Sequence, residues 1–316
     1  MTQQVSKAAL NGAQTPANDT VHTLPTGRDK RAIGPENRPF PAWHYAMLND
    51  HARNGAIAAA IADLDLAGKT VVEIGAGSGI IAILFARAGA ARIVACEMNP
   101  AMAEVARETI ARAGMADRIE LLACSSTEAI EKGLLPEAPD VIFTETVDCG
   151  VIGEGFHAIA RDIRRLAGEK TIVLPHEIRQ YGLPVCAPAI WGLNHVDQVF
   201  GVDMAPLNAW ATRTYFPVRA AWHGFETAAS PQRVRTYDYL QERPARPVIF
   251  ESRINGIVHG LLSWFELQMG RHVITNAIGE HSHWHQAFHP FPEPLKVHEG
   301  QKIALRIADD GRVELL

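Results

Sequence analysis

The stretch Val71-Val-Glu-Ile-Gly-Ala-Gly-Ser-Gly79 runs from a β-branched apolar segment into three glycines spaced G-x-G-x-G. A strand that ends in such a turn and opens a helix brings backbone close to a ligand, because glycine has no Cβ and accepts positive φ. Dinucleotide enzymes use G-x-G-x-x-G instead, so the spacing disfavours a nicotinamide dehydrogenase. Acidic Glu73, two residues before Gly75, suits a cofactor without a pyrophosphate. The competing reading is a tight strand–helix turn that holds no ligand.

Outward from this turn the pattern alternates. Thr70–Ile74, Arg92–Glu97, Ile119–Ala123, Asp140–Thr144 and Thr171–Leu174 read as strands, and Gly79–Ala88, Pro100–Ala113, Thr127–Lys132 and Phe156–Arg165 as helices. Strands alternating with helices predict an α/β fold with a parallel, doubly wound, Rossmann-like sheet. Upstream, Ala42–Ala59 carries apolar residues at helical spacing and reads as a helix broken near Gly55. Residues 1–39 are polar and read as a mobile arm. After Pro175 the texture changes to short alternating strands: Arg179–Val185, Arg233–Asp238, Val248–Ile254, Ile257–Leu267, His272–Thr275 and Lys302–Ile307. Asn255-Gly256 signals a hairpin between two of them. The expected organisation is an arm over 1–39, a cofactor domain over 40–175 and an antiparallel β-barrel-like domain over 176–316, with an insertion at about 189–218 that reads as helical.

The composition bounds the function. Of 316 residues, 47% are hydrophobic and 21% charged, enough for a proper core. The formal charge of −5 offers no basic field for a nucleic acid. The most apolar stretch, Gly79–Cys96, is interrupted by Arg87 and Arg92, so no membrane span is expected. Cys96, Cys124, Cys149 and Cys186 are scattered and form no C-x-x-C pair, which reads as a reduced, cytoplasmic protein.

Two sets of carboxylates lie where the strands end. Glu97, about 20 residues beyond the glycine turn, is placed to accept two ribose hydroxyls. Glu128 follows the next strand and is a candidate acceptor for an adenine amino group. The segment Thr144-Glu-Thr-Val-Asp-Cys-Gly-Val-Ile-Gly-Glu-Gly155 follows the fourth strand, with Glu145 and Glu154 bracketing a glycine-containing loop. Two carboxylates in one pocket suit a guanidinium, which presents five donors in a planar fork. From charge alone, two unrelated solvated glutamates are the better reading. His281, His283, His285 and His289 cluster, and alternation would put the first three on one strand face. A zinc site needs a matched, closed ligand set, and no metal is expected here.

At this point the residues resemble a known family, the protein arginine methyltransferases, over about residues 41–316. Glu145 and Glu154 stand nine positions apart, as in that family's double-glutamate loop, and Thr146-Val147-Asp148 is similar to the monomethylating branch rather than the branch with Trp-Met after the first glutamate. Ser282-His-Trp284 resembles its Thr-His-Trp loop, with Ser for Thr. His44-Tyr-Ala-Met-Leu-Asn-Asp-His-Ala-Arg53 resembles its cofactor-covering helix, and Phe200-Gly-Val-Asp-Met-Ala-Pro-Leu-Asn208 part of its dimerisation arm. Bacterial enzymes that methylate free L-arginine share the likeness.

The resemblance implies a class I methyltransferase fold, S-adenosyl-L-methionine as cofactor, a homodimer, and arginine, free or in a protein or peptide, as acceptor, most simply monomethylated. It implies that Arg53 clamps the cofactor's methionine carboxylate, with His44, Met47, Glu73, Gly75, Gly77, Glu97 and Glu128 completing that site and Met47 also lining the acceptor pocket. Catalytic roles fall to Glu145, Glu154 and the pair Asp50–His283, with Tyr45, Val147 and Trp284 beside the acceptor. A methyltransferase of another small-molecule nucleophile, and an inactive binding module that keeps the fold, are the alternatives. The retained glutamate pair argues against both, since neutral acceptors need no such pair.

Overall fold

The computed structural model describes residues 37–316. The expected mobile arm therefore lies outside the described residues, apart from its last three positions. Residues Phe40–Leu316 form one compact unit.

Its first half is built around five strands: β1 (Thr70–Ile74), β2 (Arg92–Cys96), β3 (Ile119–Leu122), β4 (Val141–Thr144) and β5 (Ile172–Leu174). All pair in parallel, in the order β3-β2-β1-β4-β5. Every residue of β4, and all but the first of β1 and β2, is buried, as expected where helices cover both faces of a sheet. The helices are α1 (Trp43–Leu48), α2 (His51–Ala62), α3 (Ile80–Arg87), α4 (Pro100–Arg112), α5 (Ser126–Glu131) and α6 (Phe156–Leu166). Pro100 opens α4 behind Asn99, whose side chain caps Ala101 and Met102, so the missing proline N–H costs nothing. The order reverses between β1 and β4, and such a switch point opens a crevice at the carboxyl ends of the strands.

The expected helix over 42–59 is two helices, and the break falls at Asn49–Asp50, not at Gly55. Asp50 caps α2 by accepting from the Arg53 amide at 3.0 Å. A cap of this kind is worth about 1 kcal/mol, enough to start a new helix there. Gly55 lies inside α2 without breaking it.

The second half is antiparallel. It contains β6 (Glu177–Cys186), α7 (Pro188–Trp191), β7 (Gln198–Val199), β8 (Val202–Asp203), a 3-10 helix (Ala205–Trp210), β9 (Phe216–Val218), β10 (Glu226–Thr227), β11 (Gln232–Tyr237), β12 (Val248–Glu251), β13 (Gly256–Met269), β14 (His272–Thr275), β15 (Gln286–Val297), β16 (Lys302–Ile307) and β17 (Val313–Leu315). Seven strands form one sheet along the path β10-β6-β13-β15-β9, with β11 on β6 and β14 on β13, and β12-β16-β17 form a smaller sheet. A shared apolar cluster joins the two, with Phe250, Ile303 and Leu305 packing with Val258, Leu261 and Phe291. A second cluster runs from the parallel sheet into Tyr237, Tyr239, Phe265 and Trp284.

Three expectations need correction. Asn255-Gly256 makes no hairpin: β12 pairs with β16, and the Asn255 side chain accepts from the Glu299 amide instead. His281, His283 and His285 share no strand face, because 281–285 is irregular chain leading into β15. The insertion holds a single helical turn, a two-stranded ribbon, a 3-10 helix and, at its end, β9, so it is only partly helical. Among the described residues no helix is long and apolar enough to cross a membrane.

Candidate active site

The glycine turn sits at the switch point. Gly75, Gly77 and Gly79 have φ of +80°, +53° and +82°, where a Cβ is strained. The Gly75 and Ala76 amides donate to the Cys96 carbonyl at 3.0 and 2.9 Å, tying the turn to the end of β2. A Cβ on Gly75 would collide with Thr146, so the turn and the loop after β4 touch. A Cβ on Gly77 would meet nothing within 4 Å, which leaves a cradle for a ligand. Glu97 is buried beside it and accepts from the Gly77 and Asn99 amides, each at 2.8 Å. Each of those oxygens keeps a second lone pair. Glu73 is buried beneath; burial pushes its carboxyl well above the ordinary range, with Glu97 adding to the rise and the Ala82 amide and Arg53 opposing it. One of its oxygens has no partner among the described residues.

Three further segments meet beside the turn: α2, the loop after β4 and the loop before β15. From α2 comes Arg53, 4% exposed, whose guanidinium pairs with Glu145 at the end of β4. Burial raises the Glu145 carboxyl even so, although Arg53 opposes the rise, and its second oxygen is buried with no partner among the described residues. Glu154 is open to solvent yet walled by protein. That wall pushes its carboxyl up to about 7, with the charges of Glu145 and Asp148 adding and Arg53 opposing. The two glutamates are thus close enough for their charges to interact. Tyr239, its hydroxyl buried and unpartnered, feels both.

The third segment is the loop before β15. Asp50 accepts from the His283 amide at 2.9 Å and meets His283 Nδ1 at 3.0 Å. Burial alone would raise the Asp50 carboxyl, but the bonds from the Arg53 and His283 amides and from the imidazole hold it below its ordinary value. Burial pushes His283 down to about 4, against the pull of Asp50. A neutral imidazole beside a carboxylate must donate through Nδ1, which leaves Nε2 as an acceptor. Trp284 donates Nε1–H to the Val147 carbonyl at 2.8 Å, joining the two loops, and its ring lies 5.9 Å from the Arg53 guanidinium carbon.

The remaining expected residues lie on α1, α5 and β15. α1 buries no residue. His44 stacks on Trp43 at 4.0 Å, Met47 is half-buried, and Tyr45 is exposed. Glu128 holds Lys132 at 2.5 Å along the surface of α5. Among the histidines, His289 is fully buried and bonded to Ser263 and the Gly311 carbonyl. Among the described residues no group of three or more His, Cys, Asp and Glu could hold a metal ion. Sequence reasoning missed the direct Arg53–Glu145 pair, and it missed Tyr215 and Arg219, which reach the two loops from either side of β9. No motif marks those two, since their partners are backbone atoms and an unassigned aspartate.

A parallel sheet in this order, a glycine cradle at its switch point and a buried carboxylate at the end of β2 define an S-adenosylmethionine-dependent methyltransferase. Residues 71–169 match the family model of a methyltransferase domain, and residues 185–312 that of the arginine methyltransferase oligomerization subdomain. The arginine N(omega)-methyltransferase of Streptomyces achromogenes subsp. streptozoticus is 39% identical over 278 residues, covering 85% of this chain and 76% of that protein. The chain belongs to the arginine methyltransferase family. Probable histone-arginine methyltransferase 1.3 of Arabidopsis thaliana is 30% identical over 290 residues, covering 83% of this chain and 52% of that protein, so the chain spans about half its length. In fold, the chain is similar to the Trypanosoma brucei PRMT1 enzyme–prozyme complex with AdoHcy (TM-score 0.69, 19% identity, 84% of this chain and 86% of that one). It is also similar to Arabidopsis thaliana protein arginine methyltransferase 10 (TM-score 0.66, 23% identity, 83% and 85%).

Proposed function

We propose that this chain methylates the guanidino nitrogen of arginine once, with free L-arginine the first acceptor to test. The observation that supports this most is the buried Glu145 oxygen that lacks a partner, within electrostatic reach of Glu154. An unsatisfied buried acceptor costs about 1–3 kcal/mol, and a guanidinium N–H would satisfy it. Free arginine is favoured because the relative at 39% identity is named for arginine itself, whereas the 30% relative is named for histones.

The residues present fit the cofactor. Gly75 and Gly77 would give the cradle, Glu97 would take the ribose hydroxyls, and the unpartnered Glu73 oxygen and Arg53 Nε would be left for other polar groups, while His44, Met47 and Glu128 are assigned to this site on the family likeness alone. Once bound, S-adenosylmethionine supplies an electrophilic methyl on a sulfonium. Arg53 would serve its carboxylate while remaining beside Glu145. Glu145 and Glu154 would grip two guanidinium nitrogens and draw positive charge toward them, leaving the third nitrogen free to receive the methyl as the sulfonium carbon–sulfur bond breaks and S-adenosylhomocysteine leaves. Orientation of this kind supplies up to about 7–11 kcal/mol in favourable systems. Glu154, poised at about 7, takes the proton that methylation releases. His283, held by Asp50, offers Nε2 as a second acceptor. Trp284, bonded to the Val147 carbonyl, would form a wall beside the acceptor, with Tyr45 assigned there on the family likeness.

The insertion presents Phe200, Leu207 and Trp210 to solvent, and we assign that surface to a second copy of the chain, making a homodimer. All four cysteines are unpaired, in keeping with a cytoplasmic location. Mass spectrometry with methyl-labelled cofactor, offering free L-arginine, an Arg-Gly peptide and a histone-like protein in parallel, tests the acceptor. Labelled Nω-methylarginine from the free amino acid supports the reading. Label on an amine or hydroxyl compound, with none on any arginine, overturns it.

A further inference from the structure

We infer that Tyr215 and Arg219, flanking β9, are positioning residues that brace the two acceptor-side loops: Tyr215 holds the Glu145–Glu154 loop through Asp148, and Arg219 holds the His283–Trp284 loop. The inference rests on the proposed acceptor role of those loops.

The first arm of the brace is a hydroxyl on a carboxylate. Tyr215 Oη donates to Asp148 Oδ2 at 2.9 Å, while Asp148 Oδ1 accepts from the Gly150 and Gly153 amides at 3.2 and 3.0 Å. One carboxylate thus gathers two amides of the loop and the hydroxyl of the residue that precedes β9. The ring itself needs space that only glycines leave. A Cβ at Gly150 or Gly311 would run into the Tyr215 ring, and one at Gly153 into the Asp148 carboxylate and the Tyr215 hydroxyl. Glycines at these close approaches cost chain entropy. His289 backs the ring at 5.4 Å and is itself fixed to Gly311 and Ser263 at 2.8 and 2.9 Å.

The second arm is a guanidinium fork. Arg219 donates Nη1–H to the Ser282 carbonyl at 2.8 Å and Nη2–H to the His283 carbonyl at 3.0 Å. Two consecutive carbonyls are held by one planar group, which a lysine cannot imitate. Between the arms, β9 pairs with the start of β15, Val218 opposite Gln286 and Phe216 opposite Phe288, so the brace is registered on the strand that the His283 loop enters. Upstream, the base of the insertion is closed by Asn194, which exchanges two hydrogen bonds with Thr212 at 2.8 and 2.9 Å. Tyr215 is therefore only three residues from a second fixed point.

Asp148 also acts on Glu154 through its charge. The groups facing Glu154 are Glu145 and Asp148, which raise it, and Arg53, which lowers it, with Cys149 and Tyr239 near enough to feel the Glu154 charge. Removing the Asp148 charge lets Glu154 ionise at lower pH.

The test uses the full chain with Tyr215→Phe, Arg219→Lys, Asp148→Asn and Glu154→Gln. It measures kcat and KM for the acceptor, the pH dependence of kcat, and S-adenosylhomocysteine affinity by calorimetry. Tyr215→Phe keeps the ring and so keeps the fold. The expected result is a fall in kcat of about tenfold to a hundredfold in Tyr215→Phe and Arg219→Lys, the size that small misplacement causes, with S-adenosylhomocysteine affinity unchanged. Asp148→Asn additionally moves the acid limb of kcat to lower pH. Wild-type kcat in both Tyr215→Phe and Arg219→Lys overturns the brace, as does a loss matched by equal loss of S-adenosylhomocysteine affinity. Glu154→Gln separates the two readings: if it is inactive while the brace variants match wild type, only the brace falls, and if it is fully active the acceptor reading falls with it.

Discussion

Arg53 on α2 and Glu145 at the end of β4 form a buried ion pair, so the residue expected to serve the cofactor and the residue expected to serve the acceptor touch each other directly. Both side chains are about as buried as the core, at 4% and 5% exposure. Their contact ties α2 to the end of β4, and each charge compensates the other where little water reaches.

Arg53→Ala leaves the Glu145 charge without its partner. Breaking a buried pair from one side costs about 3–5 kcal/mol, and the loss should show in urea unfolding. The double variant Arg53→Ala/Glu145→Gln should recover part of that loss, because the uncompensated charge is gone. A double variant less stable than Arg53→Ala alone would contradict the pairing.

Glu97→Ala removes the acceptor for the Gly77 and Asn99 amides as well as the proposed ribose partner. Cofactor affinity by calorimetry should fall by about tenfold to a hundredfold, the range of hydrogen bonds to a charged group. Unchanged affinity would remove Glu97 from the cofactor site.

Glu154 sits at about 7 rather than near its ordinary 4.5. Below about 7 it is protonated and can neither attract a cation nor accept a proton, so kcat/KM for the acceptor should fall as pH drops through that region. A bound guanidinium favours the carboxylate, so the corresponding limb in kcat should lie lower. A pH profile flat from about 8 down to about 5.5 would contradict this assignment.

His283 and His289 are both held down to about 4, against an ordinary 6.5. Below 6.5 the unfolded chain binds protons that the folded chain refuses. Their contribution is therefore complete above 6.5 and is lost as pH falls from there toward about 4. Denaturant unfolding across that range should show wild type losing more stability than His289→Gln. Equal losses would mean that His289 charges freely in the folded protein.

Much of this was readable from the sequence because it depends on local rules. The strands of the parallel sheet were legible from apolar runs and glycine, proline and asparagine punctuation, and their ends were placed within a residue or two. The family likeness located the loops that meet in space. What escaped depends on partners distant in the chain. Asn255-Gly256 looks like a hairpin locally, but β12 finds its partner some fifty positions away in β16. β15 was missed because Pro290, Pro292 and Pro294 interrupt its pattern, though it still pairs with β13 across a bulge. The split at Asp50 was missed because its capping role reads the same as a surface aspartate. Arg219 was silent because it recognises carbonyls, which every residue has.

The claim on which the rest depends is that Glu145 and Glu154 hold the acceptor and not the cofactor. Turnover of arginine by Glu145→Gln and Glu154→Gln, measured beside calorimetric S-adenosylhomocysteine affinity on the same samples, tests it directly. The expected result is a loss of kcat of about a hundredfold or more in Glu154→Gln, and a comparable loss in Glu145→Gln, with Glu154→Gln binding the probe as wild type does. Near-normal turnover in both variants, or a loss in Glu154→Gln explained entirely by weakened probe binding, would contradict it.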